Sequence, residues 1–189
     1  MSLAYEELAS HALEQLGATT ALSKLDHIAQ QAAAEAWSYS HFLGRLLEPE
    51  LAERRRRVIE TNLRFAGLPY LKRIEDFDFA FQPSVDKVLV EELATGRFLA
   101  DGRNVILLGP PGVGKTHLAI SLGILTAELG HRLFFLSAME LARLLAAAFT
   151  QNRLPHAMKM LTQPKLLIID EVGYLGLDPT AAALLFQVI

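Results

Sequence analysis

The 189-residue chain contains no cysteine, so it can form neither disulfide bonds nor thiolate metal sites. No apolar run reaches the roughly 20 residues that a membrane-spanning helix needs. The first residues lack the charged, apolar and small-residue pattern of a signal peptide, and the six histidines have no metal-ligand spacing. These absences predict a cytoplasmic protein with no membrane partner.

The chain also lacks a large net charge of either sign, since its formal net charge is −3. A basic cluster nevertheless lies at positions 54–73, where seven lysines and arginines face one acidic residue. The candidate contacts to nucleic acid in this cluster are Arg54, Arg55, Arg56, Arg57 and Arg64. The alternative, which the residues alone favour, is a solvated helix face in which Glu50 pairs with Arg54 and Glu53 with Arg57 at four-residue spacing.

A glycine-rich loop follows the apolar run at 104–108. It consists of Gly109, Pro110, Pro111, Gly112, Val113, Gly114, Lys115 and Thr116, and it matches the pattern G-x-x-x-x-G-K-[ST]. Such a loop points successive backbone N–H groups at a polyphosphate, while Lys115 reaches the β- and γ-phosphates and the Thr116 hydroxyl binds Mg²⁺. The next residue, His117, can reach phosphate through its backbone N–H. The loop predicts a nucleoside triphosphate site.

A second motif is the apolar run that begins at Lys165 and ends in Asp170 and Glu171. It is typical of a buried parallel strand with acids at its carboxyl end. Because ligands of open α/β sheets bind at that end, Asp170 is expected beside the Mg²⁺ held by Thr116. A second carboxylate, Glu171, suits the polarisation of an attacking water, which favours hydrolysis over phosphoryl transfer to another substrate.

The apolar spacing and the positions of glycine and proline along the chain predict three regions. These are a helical region at 1–69, an aromatic and acidic linker at 70–83, and a P-loop core at 84–189. Helices are expected at 5–16, 20–37, 40–48, 49–66, 84–95, 115–129 and 137–149, with a short one from Pro155 and a last one from Asp178. Pro49 is expected at a first helical position, and Ser137 with Glu140 as a capping box. Strands are expected at 104–108, 131–136 and 165–170. The fold class is therefore α/β, a parallel sheet with helices on both faces.

The linker carries phenylalanines at alternate positions, Phe77, Phe79 and Phe81. Burial against the core is the expected role of these rings, and a wall of an adenine pocket is the alternative.

The order of motifs along nearly the whole chain resembles one family. These motifs are Glu75-Asp76-Phe77-Asp78-Phe79, Gln82-Pro83-Ser84, the glycine loop continued by His117-Leu118-Ala119, and Leu167-Ile168-Ile169-Asp170-Glu171 with Gly173-Tyr174-Leu175. They resemble the IstB-like ATP-binding proteins, which are AAA+ helpers of insertion-sequence transposition related to the DnaC helicase loaders.

The resemblance implies an ATPase that uses ATP and Mg²⁺, assembles on double-stranded DNA as an ATP-dependent homo-oligomer and passes that DNA to a transposase. Under it, Lys115 and Glu171 are catalytic, Thr116 and Asp170 hold the metal, and the arginine-bearing helices contact DNA and mediate assembly. A DnaC-like helicase loader and a non-catalytic remnant are the alternatives.

One departure from the family concerns the sheet. AAA+ proteins place a strand between the phosphate-loop strand and the Asp-Glu strand, and that strand would follow position 189. We therefore expect a C-terminally truncated chain whose incomplete sheet leaves it marginally folded, with weak ATP binding and little ATP turnover.

Overall fold

A computed structural model describes residues 2–174 and residue 183. They belong to two compact units, Met1–Val58 and Ile59–Ile189. The predicted boundaries after residues 69 and 83 stay predictions, and the predicted last helix from Asp178 lies outside the described residues. No helix in the described part of the chain combines the length and the apolar character needed to cross a lipid bilayer.

The first unit is all-helical. It contains α1 (Ser2–Gln15), α2 (Thr19–Ala34) and the larger part of α3 (Tyr39–Phe65). Ala18, Ala21, Ile28 and Leu46 are buried together, and Trp37 packs against them. The helical N-terminal region predicted from the apolar spacing is confirmed.

The prediction of two separate helices on either side of Pro49 is wrong, since α3 continues through this residue. An interior proline removes one helical hydrogen bond and costs about 3 kcal/mol. Contacts on both sides of Pro49 oppose that cost. Leu46 is buried in the helical core, and the Glu50 carboxylate accepts hydrogen bonds from the backbone N–H groups of Thr20 (2.9 Å) and Ala21 (3.3 Å) at the start of α2.

The second unit combines helices with a parallel sheet. After the end of α3 its helices and strands are α4 (Lys87–Leu93), α5 (Arg97–Asp101), α6 (Lys115–Glu128), β1 (Leu133–Ser137), α7 (Ala138–Thr150), α8 (Leu154–Thr162) and β2 (Leu166–Asp170). Strands β1 and β2 pair in parallel, with Leu133 opposite Leu166 and Ser137 opposite Asp170. The Ser137–Glu140 capping box is present at the start of α7, as predicted.

Helices cover both faces of this sheet. Side chains alternate along each strand, so each face presents its own set of apolar residues. On one face Leu136 packs with Leu141 and Leu145 of α7 and Leu161 of α8. On the other face, Leu133 and Ile168 pack with Ala127 of α6 and with Ala66 after α3. The α/β fold class is confirmed.

The expected strand at 104–108 is not formed. These residues have no strand pairing, and Ile106 and Leu108 are 77% and 87% exposed. Val105 and Leu107 are half-buried against the helices. A parallel strand needs a neighbouring strand edge to satisfy its N–H and C=O groups, and within 2–174 no strand lies beside this segment. The sheet of the described chain is thus incomplete.

Candidate nucleotide-binding site

The glycine-rich loop leads directly into α6, with Gly114 as the residue before the first helical position. Gly114 has a φ of +87°, which favours glycine. A Cβ atom at this position would also lie 2.5 Å from Cε2 of Phe77, a buried ring. The loop backbone therefore approaches the linker so closely that a side chain at position 114 cannot be accommodated.

Lys115 begins α6, and its ammonium group lies over the loop. Its Nζ donates hydrogen bonds to the carbonyl oxygens of Gly109 (2.8 Å) and Pro110 (2.7 Å). Polyphosphate oxygens would be stronger acceptors than these carbonyls, because a bond between two charged groups is roughly twice as strong as a neutral one. The loop carbonyls therefore hold the ammonium group beside the loop while no phosphate is bound.

The two predicted motifs meet at Thr116 and Asp170. The Thr116 hydroxyl donates a hydrogen bond of 2.9 Å to Asp170 Oδ2, at the carboxyl end of β2. These are two hard oxygen ligands of the kind that Mg²⁺ prefers, and Mg²⁺ commonly takes one or two protein ligands and completes its shell with water and phosphate. No group of three or more metal-binding side chains occurs among the described residues. The pair therefore fits Mg²⁺ bound together with a nucleotide.

Glu171 has an unusual backbone conformation. Its φ is +59°, a left-handed geometry that costs a residue other than glycine about 1 kcal/mol. Its N–H donates to Asp170 Oδ1 (3.0 Å), and the residue is exposed. Strained residues cluster at functional sites, and an exposed carboxylate next to the candidate metal ligand is accessible to an attacking water.

A cavity of about 200 Å³ lies at the junction of the linker and the phosphate loop. It is lined by Asp76, Phe77, Asp78, Phe81, Gln82, Gly112, Val113, Gly114 and His117. The expected burial is confirmed for Phe77 and not for Phe81, and a role of these rings as an adenine wall stays a prediction. Phe77 is buried with Val90 and Leu118, whereas Phe81 is 74% exposed at the cavity. The sequence placed the polar lining residues Asp76, Asp78 and Gln82 in the linker and its motifs, without a binding role.

The linker is held along α6 by non-local contacts. His117 Nε2 lies 2.9 Å from the Arg73 carbonyl oxygen, and Ser121 Oγ donates to the Lys72 carbonyl oxygen at 3.0 Å. The Arg73 guanidinium forms an ion pair with Glu128. The sequence gives no signal for these contacts, because each joins residues at least 44 positions apart.

The candidate DNA-binding arginines differ in their partners. Arg54 donates to Glu50 (2.8 Å) and to the Leu16 carbonyl oxygen (2.9 Å). Arg56 and Arg57 both pair with Glu53 at 2.8 Å. The hydrogen bonds from Arg56 and then Arg57 lower the pKa of Glu53 from 4.5 to about 2.

The two pairs expected for a solvated face, Glu50–Arg54 and Glu53–Arg57, are therefore both present. Arg64 lies over the Phe65 ring, 5.7 Å from its centroid. Arg55 has no hydrogen bond or ion pair in the part of the chain that the structure describes.

The sequence matches a family model described as IstB-like ATP binding protein over residues 11–189. Several curated relatives carry provisional names as ATP-binding proteins of insertion sequences. The IS5376 protein of Geobacillus stearothermophilus is 45% identical over 86% of this chain and 64% of its own length. The IS21 protein of Pseudomonas aeruginosa is 42% identical over 87% of this chain and 62% of its own length.

A third relative, the IS232 protein of Bacillus thuringiensis subsp. berliner, is 36% identical over 100% of this chain and 75% of its own length. The chain thus spans less than two thirds of the first two relatives and three quarters of the third. The family model covers most of the helical unit, the glycine-rich loop and the Asp170–Glu171 motif. The chain belongs to the family of IstB-like ATP-binding proteins.

Proposed function

We propose that this protein binds ATP at the 109–117 loop and hydrolyses it as a helper of insertion-sequence transposition. The observation that carries the proposal is the Thr116–Asp170 hydrogen bond. It joins the glycine-rich loop to the acidic strand end, which supports a site where a hydroxyl and a carboxylate hold Mg²⁺ beside the phosphates. The insertion-sequence names of the relatives support the biological context.

In the proposed site the backbone N–H groups at the start of α6 bind the phosphates, since a helix N-terminus attracts anions. Lys115 leaves the Gly109 and Pro110 carbonyls and donates to the β- and γ-phosphates. Thr116 and Asp170 would hold Mg²⁺, which would neutralise charge on the phosphates. Glu171 accepts a proton from the attacking water, whose oxygen bonds to the γ-phosphorus as the bond from that phosphorus to the β,γ-bridging oxygen breaks, and the products are ADP and phosphate.

We further propose that the helical region, 1–69, contacts double-stranded DNA through the arginine run and contributes to ATP-dependent self-assembly. The linker at 70–83 then connects it to the ATPase core at 84–189. A cytoplasmic transposase is the proposed partner that receives the DNA. The charge of Arg55, which no acidic side chain in the described residues neutralises, supports a phosphate contact at this position.

Two substitutions test the ATPase proposal in the 189-residue chain and in a form extended to the length of the relatives. Lys115→Ala should abolish ATP binding or weaken it severely, because it removes the cation that lies over the loop. Glu171→Gln should retain ATP binding and lose turnover, because the carboxamide keeps the shape but not the base.

Lys159→Ala and Glu91→Gln are matched controls, since both residues are exposed and lie in α8 and α4, outside the loop and the strand end at Asp170. Binding is measured by calorimetry and turnover by phosphate release. If Lys115→Ala binds ATP as tightly as the parent, or if Glu171→Gln in the extended form hydrolyses ATP at the parental rate, the proposed site is wrong.

A further inference from the structure

His117 contacts the linker in two ways. Its Nε2 lies 2.9 Å from the Arg73 carbonyl oxygen. Because a carbonyl oxygen only accepts, Nε2 must carry the proton of this bond. The imidazole also meets the Phe77 ring edge to face, with 5.3 Å between the ring centroids and 70° between the planes.

Phe77 in turn lies against the phosphate loop. It is 8% exposed, and its Cε2 and Cζ atoms lie 2.5 and 3.2 Å from the point where a Gly114 side chain would begin. A ring held this tightly between His117 and Gly114 fixes the separation between linker and loop. His117, Phe77 and Gly114 all line the 200 Å³ cavity, so this contact forms one side of it.

The cavity adjoins the loop that is proposed to bind phosphates, and its volume is below the 300 Å³ or more that is typical of whole-ligand pockets. It therefore suits one end of a nucleotide. Aromatic and backbone walls are complementary to the flat face of a base. Phosphate binding, in contrast, depends on the loop N–H groups and on Lys115, which the linker does not supply.

We propose that the His117 side chain is a positioning residue for the base of ATP, acting through Arg73 and Phe77 to hold the linker at the distance from the loop that the base requires. This inference rests on the proposed ATP binding. It differs from a phosphate contact by the His117 backbone, because the side chain is directed to the linker.

The experiment compares two ligands on the 189-residue chain, ATP and inorganic tripolyphosphate, by calorimetry. Tripolyphosphate has the phosphates and no base. His117→Ala should weaken ATP binding about tenfold, the effect of losing one hydrogen bond and one aromatic contact. The affinity of His117→Ala for tripolyphosphate should stay within about twofold of the affinity of the parent.

Ser121→Ala is the matched control. Ser121 donates to the neighbouring linker carbonyl, that of Lys72, one turn further along α6, but it does not line the cavity. The Ser121→Ala variant should bind ATP and tripolyphosphate with the affinities of the parent. His117→Gln keeps an N–H donor at similar reach and should recover part of the loss, whereas His117→Phe keeps only a ring.

The outcomes separate the two proposals. If the parent binds neither ligand, the proposed ATP site fails and the role of His117 fails with it. If the parent binds both and His117→Ala does too, only the role of His117 is overturned. An equal loss of ATP and tripolyphosphate binding, with the melting temperature retained, would place the effect in the phosphate loop and would also overturn it.

Discussion

Thr116 and Asp170 lie 54 positions apart in the sequence, and the hydroxyl of the first donates to the carboxylate of the second at 2.9 Å. The bond connects the first turn of α6 with the last residue of β2. A glycine-rich turn alone can simply join two elements, and an acidic pair alone can simply end a strand. Their contact in space is what makes a phosphate and metal site the simplest interpretation.

Replacing the Thr116 hydroxyl should have two separable effects. Thr116→Val removes the donor to Asp170, which costs about 1 kcal/mol of folding stability, and it removes one proposed Mg²⁺ ligand. Without nucleotide, the melting temperature of the variant should be slightly lower than that of the parent. The rise in melting temperature that ATP produces should no longer depend on Mg²⁺. Thr162→Val is the control, because Thr162 bonds only to its own helix. A parental Mg²⁺ response in Thr116→Val would contradict the assignment.

A methyl group at Gly114 should disrupt the loop. Gly114→Ala forces a side chain into a left-handed conformation, at about 1 kcal/mol, and against the Phe77 ring at 2.5 Å. We expect a lower melting temperature and a loss of ATP binding. Gly44→Ala is the matched control, since Gly44 lies in α3 with no atom within 4 Å of the added Cβ. It should stabilise the chain by about 0.5–1 kcal/mol. The prediction fails if both variants behave alike.

Relief of the Glu171 backbone strain should raise stability at the expense of hydrolysis. Glu171→Gly adopts the φ of +59° without a steric penalty, so the free energy of unfolding should increase by about 1 kcal/mol. Glu171→Gln keeps the strain and should show no gain. Chemical denaturation of the two variants gives the comparison. A Glu171→Gly protein less stable than Glu171→Gln would show that the conformation is not strained.

Arg54 and Arg55, two neighbouring arginines of the basic cluster at 54–73, should have different roles. Arg54→Ala breaks the contacts to Glu50 and to the Leu16 carbonyl, so it should lower the melting temperature of the chain by a few degrees. Arg55→Ala breaks no contact among the described residues and should leave the melting temperature unchanged.

If the run contacts DNA, Arg55→Ala should weaken binding to all sequences alike and reduce the slope of log affinity against log salt by about one. The measurement is a salt titration of binding to a double-stranded fragment, with Arg54→Ala as the partner variant. An unchanged slope in Arg55→Ala would exclude this residue as a phosphate contact.

The ionised form of Glu53 should stabilise the folded chain in a defined pH range. Arg56 and Arg57 lower its pKa from 4.5 to about 2, so its contribution is complete above about pH 4.5 and is lost as the pH falls toward 2. The melting temperature of the parent should exceed that of Glu53→Gln near neutral pH, and the difference should shrink through this range. Glu48→Gln, whose pair with Arg45 is looser at 3.5 Å, is the control. A constant difference would contradict the lowered pKa.

Local sequence relationships were predictable here, and distant ones were not. Ser137 with Glu140, and Glu50 with Arg54, lie within one helical turn, and both pairs formed as predicted. The continuation of α3 through Pro49 was missed because the contacts that oppose its cost are made with α2. The strand expected at 104–108 was missed because pairing depends on a neighbour rather than on the apolar run itself.

In the candidate site, the loop and Asp170 could be placed from motifs whose spacing carries the chemistry. Their proximity, although not the direct hydrogen bond from Thr116, was expected from the rule that ligands lie at the carboxyl ends of parallel strands. The packing of the linker on α6 could not be predicted, because hydrogen bonds to main-chain carbonyls, such as that from His117 to Arg73, leave no pattern in residue types.

The Glu50 carboxylate supplies a cap to α2 from thirty positions further along the chain. A cap of this kind cannot form until residues up to 50 have been synthesised and α3 has docked. Helix α2 is therefore incomplete as an autonomous folding element, since its first N–H groups remain unsatisfied before that contact. The first unit is expected to fold as one cooperative step, with α2 and α3 acquiring protection from hydrogen exchange together.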